Sequence, residues 1–92
     1  MITDDILKLR QQAIELYRIK REQEALELFK RAAECGDHLS NVYIARYMLS
    51  KYKYDEAEMY IDQVIDAYES APQPVEDAML IEAAAEAYYI WG

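Results

Sequence analysis

Ala25-Leu26-Glu27-Leu28-Phe29-Lys30-Arg31-Ala32 comes back 32 residues later as Ala57-Glu58-Met59-Tyr60-Ile61-Asp62-Gln63-Val64. In both strings a small residue, a large apolar one and a further apolar one stand at i, i+4 and i+7, the spacing of one helix face. A shorter echo lies ahead of each: Ala13 with Leu16, then Ala45 with Met48 at the same interval of 32. A third echo, Ala85 with Tyr88, follows after 40 residues, an interval stretched by an insertion. The pattern predicts antiparallel helix pairs. A pair with a single apolar face cannot cover it alone, so neighbouring pairs stack and leave a concave surface able to hold another protein.

Local signals place five helices. Thr3 is a good N-cap, with Asp4 and Asp5 in the dipole-favoured first turn, and Ile6, Leu9, Ala13 and Leu16 continue the helical period. Helix two covers about Glu22 to Cys35 and stops at Gly36, with Asp37 as cap of the next helix. Helix three carries Val42, Ile44, Ala45, Met48 and Leu49 and ends near Lys51. Tyr52-Lys53-Tyr54 is a turn, Asp55 a cap, and helix four runs to about Ser70. Pro72 and Pro74 interrupt the helical geometry, and helix five runs from about Pro74 to Trp91. The reading is thus one domain over 1–92: repeat one 4–36, repeat two 37–70, a linker 71–74 and a terminal helix 75–91. Arg18-Ile19-Lys20-Arg21-Glu22 holds neither Gly nor Pro, so a single helix through residues 4–35 is the competing assignment.

Composition narrows the class. Ninety-two residues, 53% apolar and with nine tyrosines, support one modest core and argue against disorder. No apolar run reaches the ~18 residues of a membrane span, and Met1-Ile2-Thr3-Asp4-Asp5 does not read as a secretory leader. The lone Cys35 has no disulfide partner, which favours a cytoplasmic location. Charge is strongly asymmetric. Residues 1–53 hold all ten Lys and Arg against eight acids, a net of +2, whereas residues 54–92 hold ten acids and no Lys, Arg or His, a net of −10. Glu58, Asp62, Asp66 and Glu69 make an acidic face on helix four, where like charges at i, i+4 cost roughly 0.2–0.5 kcal/mol per pair. Such a surface keeps a small domain soluble or attracts a basic partner, and it repels nucleic acid.

The strings Ala25-x-x-x-Phe29-x-x-Ala32-Ala33-x-x-Gly36 and Ala57-x-x-x-Ile61-x-x-Val64 resemble the second helix of a tetratricopeptide repeat. Ala13-x-x-Leu16, Ala45-x-x-Met48 and Ala85-x-x-Tyr88-x-x-x-Gly92 resemble its first helix. Lys30-Arg31-Ala32-Ala33-Glu34-Cys35-Gly36-Asp37 is similar to the Sel1-like branch of that superfamily. The resemblance implies an all-α, right-handed superhelix of about two and a half repeats, with Lys20 and Tyr52 where the family has its turn glycine. It also implies that a ligand lies against the first helix of each pair. That groove would be lined by Arg10, Ile14, Tyr17 and Arg18, by Val42, Tyr43, Arg46 and Leu49, and by Glu82, Glu86 and Tyr89. The family's carboxylate clamp is missing, because Ile14, Tyr43, Met79 and Ala83 occupy four of its five places. An amphipathic helix suits the remaining mix of apolar and charged groups better, although Tyr17, Tyr43 and Tyr89 can equally complete the core.

Helix five lacks the polar outer face of a terminal cap. Leu80, Ala84, Ala87 and Trp91 form an association face that implies either truncation or a second molecule, homo- or hetero-oligomeric; the chain reads as a complete short protein, which favours the second molecule. Reactive chemistry is thin. Cys35 and His38 form a Cys-x-x-His with no further Cys or His, so neither a metal nor another cofactor is expected, and no catalytic residue stands out. The expected function is a small acidic cytoplasmic chaperone or adaptor holding a helical segment of a protein partner. In size, repeat count and acidity the chain resembles the small tetratricopeptide-fold chaperones of type III secretion, which hold needle or translocator subunits. The alternative is an acidic antagonist, an immunity protein or nucleic-acid mimic, that blocks a basic site through residues 54–92.

Overall fold

The computed structural model describes the chain from Thr3 to Trp91, the last of these in its backbone only. The described residues form five α-helices and no strand: α1 (Asp4–Arg18), α2 (Glu22–Glu34), α3 (His38–Ser50), α4 (Tyr54–Ser70) and α5 (Ala78–Trp91). Thr3 caps α1 as its sequence position suggests, its Oγ1 accepting from the Ile6 N–H at 3.4 Å. The single-helix alternative over 4–35 does not occur, since the chain turns at Ile19–Arg21.

What ends α1, α2 and α3 is the same device at a spacing of sixteen residues. Lys20, Gly36 and Tyr52 adopt the left-handed conformation, with φ of 69°, 96° and 62°. Each donates its N–H three residues back, and the residue after it reaches five back: Arg21 N to Leu16 O (2.9 Å), Asp37 N to Ala32 O (3.1 Å) and Lys53 N to Met48 O (2.8 Å). These paired bonds satisfy the last carbonyls of each helix and reverse the chain in three residues. Only one of the three positions holds the glycine that such a φ favours. A side chain in this conformation costs ~1–2 kcal/mol, and glycine returns ~0.5–1 kcal/mol of that as unfolded-chain entropy. Lys20→Gly and Tyr52→Gly are therefore each expected to stabilise the fold by about 0.5–1 kcal/mol, read as a higher urea midpoint at unchanged slope; a lower midpoint for both contradicts the turn geometry.

Consecutive helices pack on one another and α5 also packs on α3, so α3 lies centrally, against α2, α4 and α5. Its sequence reflects that position: Ser40, Asn41, Val42, Ile44, Ala45, Tyr47 and Met48 are all buried, on more than one face. The core has two parts. Ala13, Ala25, Phe29, Ile44, Tyr47, Met48 and Ala57 form one; Val42, Ala45, Ile61, Val64, Ala83, Ala84 and Ala87 form the other. The repeated positions Ala25, Phe29, Ala32 and Ala57, Ile61, Val64 are all inside, as are Ala13 and Ala45. Small residues let the backbones approach, and the large ones fill the space between them.

The third echo is out of register. Ala85 and Tyr88 point outward, and Ala84 and Ala87 take the inward places. The reason is that α5 starts at Ala78, later than expected, with residues 71–77 as the linker. Asp77 caps it, its Oδ1 accepting from the Met79 N–H at 3.1 Å and the Leu80 N–H at 3.3 Å. From that start Ala83, Ala84 and Ala87 make the stripe that meets α3 and α4, and Leu80, one turn earlier, is buried as well. The association face expected at Leu80, Ala84 and Ala87 is accordingly core, and the Trp91 side chain lies outside the described residues. Helix four likewise begins at Tyr54, with Lys53 rather than Asp55 in the cap position.

Candidate partner-binding groove

The first helix of each pair contributes one row of side chains to a common face. From α1 come Ile14, Tyr17 and Arg18; with Tyr43 and Arg46 of α3 they line a cavity of about 320 Å³. A smaller cavity of about 80 Å³ adjoins it, sharing Tyr43 and Arg46 and adding Leu39, Val42, Glu82 and Glu86. The two form one groove across α1, α3 and α5. Spacings of three and four residues on each helix bring these groups to one side.

Packing behind the groove holds its aromatic floor in place. The Tyr43 ring stacks on Phe29 of α2, with centroids 4.8 Å apart and planes within 9°. Gln23 Nε2 donates to the Tyr47 hydroxyl at 2.8 Å, tying α2 to α3. Burial pushes the Tyr17 phenol above its ordinary range, helped by the negative charge of Glu22 and by Tyr47, with Arg46 acting in the opposite sense. Tyr17 is therefore a neutral donor and acceptor at physiological pH. Charge runs along the groove: Arg18 stands at the α1 end beside Glu15 (3.0 Å), Arg46 pairs with Glu86 in the middle, and Glu82 stands at the α5 end. Both ion pairs are substantially solvated, so each contributes little to stability and opens at little cost. The surface offers apolar area on Ile14 and Leu39, two phenols, and charges of opposite sign at its ends.

No protein-family model matches this sequence, and neither a curated protein nor a solved structure does.

Eight of the eleven groove residues expected from sequence line these two cavities: Ile14, Tyr17, Arg18, Val42, Tyr43, Arg46, Glu82 and Glu86. The other three do not. Arg10 is drawn away from the groove by Asp37, which is 0% exposed; Arg10 Nη1 lies 2.9 Å from Asp37 Oδ1. The Ser40 hydroxyl donates to the other oxygen at 2.5 Å. Asp37 occupies the cap position of α3 as expected, but its carboxylate serves these two groups and makes no capping bond to the helix N–H groups. Leu49 packs half-buried against the first core cluster. Tyr89 is 81% exposed and lines neither cavity, because the start of α5 turns it outward. Leu39 belongs to the groove and was overlooked, though it lies three, four and seven residues before Val42, Tyr43 and Arg46, on the same helix face.

The acidic residues of α4 are also where the spacing puts them. Glu58, Asp62, Asp66 and Glu69 are exposed. Among the described residues none of the four has a Lys or Arg partner; Glu69 accepts from the Tyr88 hydroxyl at 3.2 Å. Three or more metal-ligating side chains do not gather anywhere among the described residues, and no helix among them is long and apolar enough to cross a membrane.

Proposed function

We propose that this chain is a non-catalytic protein-binding module, a tetratricopeptide-like chaperone or adaptor that holds an amphipathic helical segment of a partner protein. The observation that carries the reading is the groove itself: nine residues from α1, α3 and α5 line two joined cavities on the face of the first helices. Apolar anchors of a bound helix would enter beside Ile14 and between Tyr17 and Tyr43, with the groove charges setting its orientation. The small acidic chaperones of type III secretion are the kind of protein this reading resembles, with a cytoplasmic needle or translocator subunit as the guest.

A second reading has its own observation. Glu58, Asp62 and Asp66 are exposed without cationic partners on a half of the chain that has no Lys, Arg or His. That surface suits an acidic antagonist occupying a basic protein site.

Opposite sets of variants separate the two. The partner is recovered with the affinity-tagged chain from its native cell extract, identified, and its affinity measured. On the groove reading Tyr17→Ala or Arg46→Glu weakens binding ~30-fold, the ~2 kcal/mol of an aromatic or arginine anchor. Asp62→Lys with Asp66→Lys then changes affinity less than about threefold, and binding persists in moderate salt. The reverse pattern, with the Asp62 and Asp66 variants and salt abolishing binding, rejects the groove in favour of the antagonist.

A further inference from the structure

The two cavities of the groove differ in size and in charge, and the difference specifies what fills each. The larger, about 320 Å³, is walled by Ile14, Tyr17 and Tyr43 and has no carboxylate in its lining. It has room for one large apolar side chain. The smaller, about 80 Å³, is bounded by Glu82 and Glu86 of α5 with Arg46 of α3. That is the share of two or three waters at ~30 Å³ each, too little for an aromatic ring but enough for the end of one polar chain.

Charges along the groove leave one acid in excess. Arg18 pairs with Glu15 and Arg46 with Glu86. Glu82, exposed and one turn before Glu86, has no Lys or Arg partner among the described residues. Its own half of the chain has none to offer, since residues 54–92 hold no base. A cation that meets Glu82 in the groove is the guest's to supply.

Geometry sets the distance between the two fillings. Tyr43 and Arg46 line both cavities, while α1 closes one and α5 the other, so the cavities lie on either side of α3. The width of one helix with its side chains, ~10–12 Å, separates them. Seven residues of a guest helix rise ~10.5 Å and return to within ~20° of the same face. Resting on the groove reading above, we infer that the guest is a helix with a lysine seven residues from its large apolar anchor. The anchor fills the α1–α3 cavity and the ammonium reaches Glu82 in the α3–α5 cavity. Lysine suits the smaller space better than arginine, because its charge is compact and not a planar fork.

Two alanine-rich helical peptides of identical composition test this, titrated into the full chain and followed by its amide NMR spectrum. One has a central phenylalanine with lysines seven residues to either side, so that it can seat in either direction. In the other the lysines stand five residues to either side, turned ~140° off the phenylalanine face. The first is expected to bind ~5-fold tighter, the upper end for one solvated ion pair. Glu82→Gln removes that preference. Glu27→Gln, an equal change of net charge at an exposed position of α2, keeps it. Equal affinity of the two peptides overturns the inference, and so does a preference that survives in Glu82→Gln. In either of those cases, weaker binding to Tyr17→Ala leaves the groove standing as a helix site. Absence of binding by either peptide at ~1 mM overturns both the helix site and the lysine within it.

Discussion

Phe29→Ala is expected to lower the folding free energy by about 3–5 kcal/mol, the range for truncating a buried aromatic in a close-packed core. Phe29 is 1% exposed, and its ring is the platform on which Tyr43 stacks. A domain of this size has roughly 5–14 kcal/mol in total, at ~0.05–0.15 kcal/mol per residue. The variant should therefore lose a large share of its stability in urea denaturation followed by helical circular dichroism. Phe29→Leu, which keeps most of the volume, should cost about 1–2 kcal/mol. The comparison bears on function as well. Tyr43 is common to both cavities of the groove, so any partner affinity should fall in the leucine variant although Phe29 itself does not line the groove. A loss under 1 kcal/mol for the alanine variant would mean that the stacked pair is not part of a tightly packed centre.

Arg10→Met is the second large effect, about 3–4 kcal/mol, and it should exceed that of Asp37→Asn. Removing one member of a buried ion pair strands the other, at a typical cost of ~3–5 kcal/mol. The two members are not equally buried: the Asp37 side chain is 0% exposed and that of Arg10 is 16% exposed. A stranded Arg10 can extend its guanidinium to water, whereas a stranded Asp37 carboxylate keeps only the Ser40 hydroxyl. Asp37→Asn should accordingly cost nearer to about 2 kcal/mol. The double variant should be more stable than Arg10→Met alone, because its buried amide carries no charge. Chemical denaturation of the four proteins provides the cycle. Equal losses for the two single variants, within ~0.5 kcal/mol, would show that the pair is solvated and that Asp37 does not join α1 to the start of α3.

These two contacts also show where sequence reasoning reaches and where it stops. The recurrence of Ala25, Phe29 and Ala32 at Ala57, Ile61 and Val64 identified the buried face of α2 and α4, because helical periodicity and residue size are local properties. The grouping of Ile14, Tyr17, Arg18, Tyr43 and Arg46 was implied instead by the resemblance to a tetratricopeptide repeat, and these five line one cavity. Phase is lost wherever a linker without regular structure intervenes. Seven residues separate α4 from α5, and Asp77 sets the start of α5 by accepting from two N–H groups, one step away from the expected register. A one-residue step turns a helix by about 100°, enough to put Leu80, Ala84 and Ala87 inside and Ile81, Ala85 and Tyr88 outside while Glu82 and Glu86 stay at the groove.

Side-chain choice among several partners was equally out of reach. Arg10 sits on the same row as Ile14 and Tyr17, and its helix position is compatible with the groove. Only the approach of Asp37, 27 residues away, draws its guanidinium elsewhere. By itself the sequence left the turn at Ile19–Arg21 open against one helix over 4–35. It determined an all-helical chain, the breaks at Gly36, at Tyr52–Tyr54 and at the prolines, and the inward faces of the four helices whose spacing is unbroken. Each of these follows from interactions within a few residues of chain. Tertiary packing alone decided the face of α5 and the fate of Arg10. Those depend on how rigid helices meet, and a linker or a long side chain leaves that meeting undetermined until the whole chain has packed.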